Sequence, residues 1–225
     1  MAKLAHVIRH AFAPVHEPFA RALGLPRTLE PGRAAGAVAL TFDDGPHPDG
    51  TPRVLEILAE HHARATFFVV GEQVVRRPEL LRRIVDQGHS VQLHGYRHRL
   101  QLRLTARQLR DDVERGTGAI EDALGAPPRL HRPPYGIYSS AGLELVHARE
   151  LRPLLWASWG KDWRKFTTSA RIARRVLSGL REGDVILLHD ADFYSSQRSH
   201  ERTAGALDFI LSELRSRELD TVLAV

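Results

Sequence analysis

The sequence predicts an α/β protein built as a distorted parallel (β/α)7 barrel with a helical extension at its N-terminus. Short apolar runs, each typical of a buried strand, alternate along the chain with amphipathic helical patterns. This alternation favours one parallel sheet over separate domains. A chain of 225 residues, 43% hydrophobic and 26% charged, has a globular composition and suits one domain. We therefore expect an extension over residues 1–35 and a barrel domain over residues 36–225.

The strand-like runs number seven, and turn signals such as Gly-Pro follow several of them. No repeat of 33 to 45 residues and no low-complexity segment interrupts the pattern. The predicted strands end near Phe42, Val70, Leu93, Arg132, Trp159, Leu188 and Val225.

The helices between these strands are predicted from their start signals. Ser or Thr at an N-cap, Gln three residues later and Pro in the first turn all favour a helix start. The predicted features are Thr51-Pro52 at one start with Leu55 and Leu58 facing inward, Thr105 with Gln108 as a capping box, Thr168 at another start, and a last helix from Glu201 to Arg217.

Residues 1–23 carry an apolar stripe at helical spacing, flanked by basic residues and interrupted by Pro14 and Pro18. Two interpretations stay open: a helix that packs across one end of the barrel, or a basic amphipathic segment on a membrane surface. No apolar run is long enough to span a membrane, and no convincing signal peptide is visible. We expect a protein that is cytoplasmic or peripheral to the membrane.

Two adjacent carboxylates, Asp43 and Asp44, follow the first predicted strand in Thr41-Phe42-Asp43-Asp44-Gly45-Pro46. Successive strand side chains point to opposite faces, so a continuing strand would separate them. A turn that starts here can direct both towards one cleft, where one binds a metal and the other handles a proton. The alternative is a solvated turn without chemistry.

Two histidines follow in Gly88-His89-Ser90-Val91-Gln92-Leu93-His94-Gly95-Tyr96-Arg97-His98. His94 and His98 are four residues apart, which predicts two imidazoles on one face of a helical turn. Two imidazoles and a carboxylate form a common catalytic zinc set, and a chain without cysteine has only such ligands to offer. The zincin pattern has Glu where this chain has Gly95, so a base must come from elsewhere. Paired surface histidines are the alternative.

Three further segments complete an ordered series: His131-Arg132-Pro133-Pro134-Tyr135-Gly136, Lys161-Asp162-Trp163, and Ile186-Leu187-Leu188-His189-Asp190. In this order, the segments resemble the five motifs of the NodB-homology polysaccharide deacetylases, carbohydrate esterase family 4. The resemblance runs from about Ala37 to Val225 and implies a barrel of the NodB-homology type. Two departures stand out: Gly95 replaces the family's usual Ser or Thr, and residues 192–196 follow no family pattern.

The resemblance also implies a role for each matched residue. It implies a divalent metal, Zn²⁺ first and Co²⁺ as a workable substitute, and the removal of an N-acetyl group from an N-acetylhexosamine-containing carbohydrate. The implied roles are metal ligands at Asp44, His94 and His98; general base at Asp43, held and kept ionised by Arg132; oxyanion binding by the backbone N–H of Tyr135; general acid at His189, kept protonated by Asp162; and an apolar acetyl pocket from Trp163 and Leu187. His47 and His131 lie beside motifs and could contact substrate, whereas His200 is treated as background.

The implied residues also fall at or just after the C-terminal ends of predicted strands, which is the face where β/α barrels assemble active sites. Two rival functions stay open: a deacylase of a lipid-linked or small-molecule amide, and a non-catalytic carbohydrate-binding protein of the same fold. The net charge of +5 could favour nucleic acid. However, the arginines are dispersed without an aromatic platform, so we expect no nucleic-acid partner. The sugar, its chain length and the oligomeric state stay open.

Overall fold

The computed structural model describes residues 24–225, so the predicted apolar stripe of residues 1–23 lies outside the described part of the chain. Each predicted strand has a counterpart, and six of the seven end within one residue of the predicted position. The strands are β1 (Ala37–Asp43), β2 (Thr66–Val69), β3 (Ser90–Leu93), β4 (Leu130–His131), β5 (Arg152–Pro153), β6 (Ser158–Trp159), β7 (Val185–His189) and β8 (Asp220–Thr221).

The strands form one parallel sheet in the order β5-β4-β3-β2-β1-β7-β6, with β8 pairing to the start of β1. The seven-stranded parallel barrel is confirmed in an open form, with β5 and β6 at the two ends of the path. β5 was not predicted, because a two-residue edge strand containing Pro153 has no apolar run to reveal it.

The last strand is shorter than predicted and ends at Thr221 rather than Val225. Beyond it, the backbone N–H of Val222 still donates to the carbonyl of Val38, whereas that of Ala224 donates to the hydroxyl of Thr66. The chain therefore leaves the strand ladder before its end.

The predicted helix starts lie within two residues of the observed ones; the last helix begins at Ser199 rather than Glu201 and ends at Ser216 rather than Arg217. Thr105 and Gln108 form both hydrogen bonds of a capping box, the Thr168 hydroxyl accepts from the N–H of Arg171, and Leu55 and Leu58 are fully buried. The α-helices are α1 (Pro31–Ala34), α2 (Gly50–Glu60), α3 (Gly71–Arg76), α4 (Pro78–Asp86), α5 (Ala106–Leu124), α6 (Ser140–Ala148), α7 (Ser169–Leu177) and α8 (Ser199–Ser216).

The core lies between the sheet and its helices, with the stacked rings of Phe42 and Phe67 at its centre. A second apolar cluster includes Leu29, which precedes the barrel and packs with Phe68 and Val185. The described end of the predicted extension is therefore part of the barrel's packing, and the boundary at residue 35 stays a prediction. In the described residues, no helix is long and apolar enough to cross a membrane.

Candidate active site

The C-terminal edge of the sheet gathers the predicted site residues. β1 ends at Asp43 and β7 at His189, and these two residues are register partners in neighbouring strands. His94 follows β3 and Arg132 follows β4 directly. Parallel strands deliver their carboxyl ends to one face, which explains why residues distant in sequence meet here.

A turn at Asp44 turns both carboxylates into the same cavity. Asp44 has a φ of 82°, in the left-handed region, so the alternation of β1 stops at Asp43. Gly45 follows without a side chain, and a Cβ there would collide with the buried carboxylate of Asp190. The turn predicted after β1 is thus present, and the Asp190 carboxylate packs closely against Gly45.

Asp44, His94 and His98 form a compact group whose potential ligand atoms all lie within 4.8 Å of one another. Oδ1 of Asp44 lies 3.5 Å from Nε2 of His94 and 3.3 Å from Nε2 of His98. These separations are wider than hydrogen bonds need and leave a common point between three donor atoms.

A neutral histidine can coordinate a metal through one ring nitrogen only when its proton is on the other ring nitrogen. Nδ1 of His94 lies 2.8 Å from the carbonyl oxygen of Arg132, which can only accept, so Nδ1 carries the proton and Nε2 keeps its lone pair. Oδ1 of Asp44 is buried and has no hydrogen-bond partner among the described residues. The donor set therefore fits a divalent cation.

Ionisation states agree with this fit. Burial, opposed by Asp44, lowers the pKa of His98 to about 4, which keeps its imidazole neutral and able to coordinate. Burial would raise the pKa of Asp44, but the neighbouring histidines, His98 foremost, hold it well below its usual range. A neutral imidazole and an ionised carboxylate are the forms that bind metal.

The predicted helical turn at His94 and His98 is wrong, because residues 94–98 form a loop after β3. Gly95 has a φ of 84°, and a Cβ there would lie 2.7 Å from Oδ2 of Asp112. Asp112 on α5 accepts the backbone N–H groups of Tyr96 and Arg97 at 2.9 and 3.2 Å. Glycine at this position thus admits the carboxylate that holds the loop.

His98 is fixed by aromatic contacts. Its Nδ1 is buried without a hydrogen-bond partner in the described part of the chain. The ring of Tyr194 stacks on it with centroids 4.4 Å apart and planes 9° apart, and Tyr135 meets it edge-on. The hydroxyl of Tyr194 donates to Glu72 and accepts from Gln73, both at the start of α3. Residues 192–196, whose role was open from sequence, therefore supply one wall of the site.

Arg132 is fully buried and holds Asp43. Its Nη1 donates to Oδ1 of Asp43 at 2.7 Å and to the Thr41 hydroxyl at 2.8 Å. The other guanidinium nitrogens donate to the carbonyls of Leu154 and Leu155. A guanidinium fixed by four acceptors orients Oδ2 of Asp43 away from itself, towards His94 at 3.8 Å.

On the opposite side, Asp162 holds His189. Its carboxylate accepts from Nδ1 of His189 at 2.9 Å, from the His189 backbone N–H at 2.7 Å and from the Thr203 hydroxyl at 2.8 Å. Burial alone would lower the pKa of His189, but Asp162 outweighs it and the pKa is raised to about 9. His189 is therefore cationic at neutral pH, with Nε2 as a proton donor.

Between these groups lies a cavity of about 100 Å³. Ligand pockets for whole small molecules typically measure roughly 300–1,000 Å³, so this one suits an acetamido group with the rest of the substrate at its mouth. All the sequence-predicted site residues line this cavity except Arg132 and Asp162. These two lie outside it and bind Asp43 and His189, respectively. The wall also includes residues that the sequence analysis did not single out, namely Arg27, Trp156, Trp159, Tyr194 and Ser195.

His47 and His131 lie outside this cavity. His131 is buried with Nδ1 2.7 Å from the Tyr138 hydroxyl, and His47 forms a second compact group with Asp192 and His200. The prediction that either could contact substrate finds no support in their positions.

A family model for polysaccharide deacetylases matches residues 31–154. The chain belongs to this family. It is 37% identical over 188 residues to a chitooligosaccharide deacetylase of Bradyrhizobium sp. (strain ANU 289), covering 80% of this chain and 85% of the relative. The family assignment made from the five motifs is thus confirmed.

Two further members extend the comparison. The chain is 32% identical over 185 residues to the Listeria monocytogenes peptidoglycan-N-acetylglucosamine deacetylase PgdA, covering 82% of this chain but 37% of that longer protein. The crystal structure of the Bc1960 peptidoglycan N-acetylglucosamine deacetylase superposes with a TM-score of 0.81 at 27% identity, covering 89% of this chain and 90% of that one. The open parallel barrel is therefore the family's fold.

Proposed function

We propose that this chain is a metal-dependent hydrolase that removes the N-acetyl group from an N-acetylhexosamine-containing carbohydrate of the chitooligosaccharide or peptidoglycan type. The supporting observation is one cavity with Asp43 and Asp44 on one strand end and His189 on the neighbouring one. Of the two relatives, one is named a chitooligosaccharide deacetylase and the other a peptidoglycan-N-acetylglucosamine deacetylase. A binding protein would have no use for a buried Asp–Arg pair and a buried His–Asp pair aimed at the same point.

Asp44, His94 and His98 would hold the metal, for which zinc is the first choice and cobalt a substitute. When bound there, a divalent ion would supply Lewis-acid polarisation of the amide carbonyl and would acidify a water molecule. The lone pair at Nε2 of His94 and the unpartnered Oδ1 of Asp44 support this assignment.

Asp43 would accept the proton of the attacking water at its Oδ2. Arg132 keeps Oδ1 occupied at 2.7 Å, so the other oxygen is the one that faces the ligand group. Such a fixed base typically contributes on the order of 100- to 10,000-fold.

His189 would give the proton at Nε2 to the departing amine nitrogen, which is too basic to leave without one. Asp162 keeps that proton in place and fixes the ring. Trp163 and Leu187 would pack around the acetyl methyl, and the backbone N–H of Tyr135 would donate to the carbonyl oxygen as it becomes negative.

The test is acetate release from chitooligosaccharides, peptidoglycan fragments and lipid-linked N-acetyl sugars, each with and without a chelator. We expect chelator-sensitive release from at least one of the first two, and none from a His94→Ala variant. Release only from the lipid-linked sugars would favour the rival deacylase. Tight carbohydrate binding without release from any of them would favour the non-catalytic protein.

A further inference from the structure

An uncompensated run of positive charge lies next to the cavity. From Arg164 to Arg181 the sequence contains six basic residues and no acidic one. Within residues 24–225, none of these six takes part in an ion pair with a carboxylate, although nine other arginines do.

Hydrogen bonds hold several of these cations at one edge. Nη1 of Arg171 donates to the carbonyl of Phe166 at 3.2 Å, and Nη1 of Arg175 lies 3.4 Å from the Thr167 hydroxyl. Burial, with the charges of Arg164 and Arg175, lowers the pKa of Lys161, so these two cations lie close enough to act on it. We call Arg164, Lys165, Phe166, Arg171 and Arg175 the basic edge.

An exposed aromatic ring stands in the middle of the basic edge. Phe166 is 82% exposed, more than any other large hydrophobic residue that the structure describes, and Nζ of Lys165 lies 5.6 Å from its ring centroid. Trp163, three residues earlier, lines the cavity. The basic edge therefore begins directly after a residue that lines the cavity.

The start of α5 shows what an ordinary basic face looks like in this protein. Arg107 and Arg110 are exposed there, and Asp111 and Glu114 follow on the same helix, where they pair with Arg115 and Arg149. Acidic residues are therefore interleaved with the arginines of that face. The basic edge has no such acids, so its charge is available to an external anion.

We propose that the basic edge docks the protein on an anionic phospholipid surface, with the Phe166 ring entering the boundary between headgroups and acyl chains. Clustered Lys and Arg around an exposed aromatic residue are the features of interfacial membrane binding. An acidic polymer would neutralise the cations but gain nothing from a solvated phenylalanine. A single-stranded nucleic acid would use several aromatic rings for successive bases. This docking is separate from the deacetylase chemistry and stands or falls without it.

The test measures partition of the full chain onto phosphatidylcholine vesicles with and without phosphatidylglycerol, at low and high salt. We expect binding only with phosphatidylglycerol, weakened by salt. Removing two cations in Arg164→Gln/Lys165→Gln should lower partition roughly 30-fold, since each basic residue near an anionic surface contributes about 5-fold. Phe166→Ser should lower it further, and Phe166→Trp should maintain or strengthen it.

The matched control is Arg107→Gln/Arg110→Gln, which removes the same charge elsewhere and should change partition far less. Acetate release from a soluble substrate and the thermal unfolding midpoint should be unchanged in every variant, which shows that the fold is intact. Equal losses in both double variants would reduce the effect to net charge and overturn the proposal. An unaffected Phe166→Ser variant, binding to polyphosphate but not to vesicles, or no vesicle binding at all would also overturn it.

Discussion

Within residues 24–225, two groups of two histidines and one aspartate are compact enough for a metal, but their hydrogen bonds suit only one of the two to coordination. In the first, Asp44, His94 and His98 face the cavity. In the second, His47, Asp192 and His200 lie behind it, equally compact by the separation of their ligand atoms. Residue type and distance do not distinguish the two groups.

The two groups differ in the hydrogen bond that Nδ1 makes in one histidine of each, His94 in the first group and His47 in the second. Nδ1 of His94 donates to a carbonyl, which leaves Nε2 with a lone pair. Nδ1 of His47 instead accepts from the backbone N–H groups of Asp49 and Gly50 at 3.2 and 2.9 Å. A neutral His47 must then carry its proton on Nε2, which points at Asp192 at 3.2 Å. That nitrogen is a donor and has no lone pair for a metal.

The second group therefore acts as a clamp. Oδ1 of Asp192 lies 3.2 Å from Nε2 of His47, and its Oδ2 accepts the backbone N–H of Arg198 at 2.6 Å. Asp192 therefore connects two segments: the loop that carries Tyr194, whose ring stacks on His98, and the turn after Asp44. The first group is the proposed metal site, and the second supports the wall beside it.

The largest effect expected from this contrast is on metal content. His94→Ala should lose tight metal binding and activity, because it removes one of the three proposed ligand atoms. The loss should exceed the roughly 10- to 100-fold cost typical of changing a residue that only supports a ligand. His47→Ala is the matched control and should keep about one metal per chain, measured by elemental analysis after dialysis. Equal metal loss in both variants would contradict the distinction.

The next effect separates two neighbours within the site. Asp44→Asn should lose metal and activity together. Asp43→Asn should keep the metal but lose on the order of 100- to 10,000-fold in kcat, because it removes a base and no ligand. Parallel titration of metal and measurement of kcat in the two variants decides this. If Asp43→Asn also releases the metal, the two carboxylates share coordination.

Much of this site was accessible from sequence, because strand ends and ordered motifs both fix positions along the chain. Asp43, His94 and His189 follow apolar runs whose ends are visible in the sequence. The strands themselves were predicted for the same reason. The turn at His94 was misjudged, since a four-residue spacing fits a helical turn and a folded loop equally well.

Two supporting residues could not be predicted, unlike Arg132 and Asp162, which the motifs identified. Asp112 lies within a helix and Tyr194 in a loop without motif, and only the tertiary fold brings Asp112 to the backbone of Tyr96 and the Tyr194 ring to His98. The proton position on His47 depends on two backbone N–H groups that a sequence does not locate. Sequence spacing identifies candidate ligands, whereas the hydrogen bonds of the fold decide which of them can coordinate.

A smaller and pH-dependent effect is expected on the acid side of the cavity. The pKa of His189 is raised to about 9, so its charged form persists up to that pH and activity should fall as pH rises through it. Asp162→Asn should move this alkaline limb to lower pH, towards the ordinary value of 6.5, because the carboxylate that stabilises the imidazolium is gone.

The same shift has a stability consequence. A raised pKa contributes to folding fully below pH 6.5, and the contribution is lost as pH rises through about 9, so Asp162→Asn should weaken that dependence. Chemical denaturation across this pH range measures it.

His189→Ala, with metal content as the control, should slow hydrolysis of a sugar amide more than hydrolysis of an activated ester. Equal slowing of both would assign His189 to positioning instead of proton donation.

The smallest effect is expected in the clamp. Asp192→Ala removes the carboxylate beside His47 Nε2 and the acceptor of the Arg198 N–H, and the loss of such a hydrogen bond costs about 0.5–1.5 kcal/mol of unfolding free energy. Metal stoichiometry should stay at about one per chain, and metal affinity should weaken only as far as the loosened Tyr194 ring frees His98. Denaturant unfolding of the metal-free protein measures the first quantity, and competition with a chelating dye measures the second. If the wild-type chain holds two metals and Asp192→Ala holds one, then the second group coordinates after all, and the hydrogen bonds at Nδ1 of His47 do not prevent it.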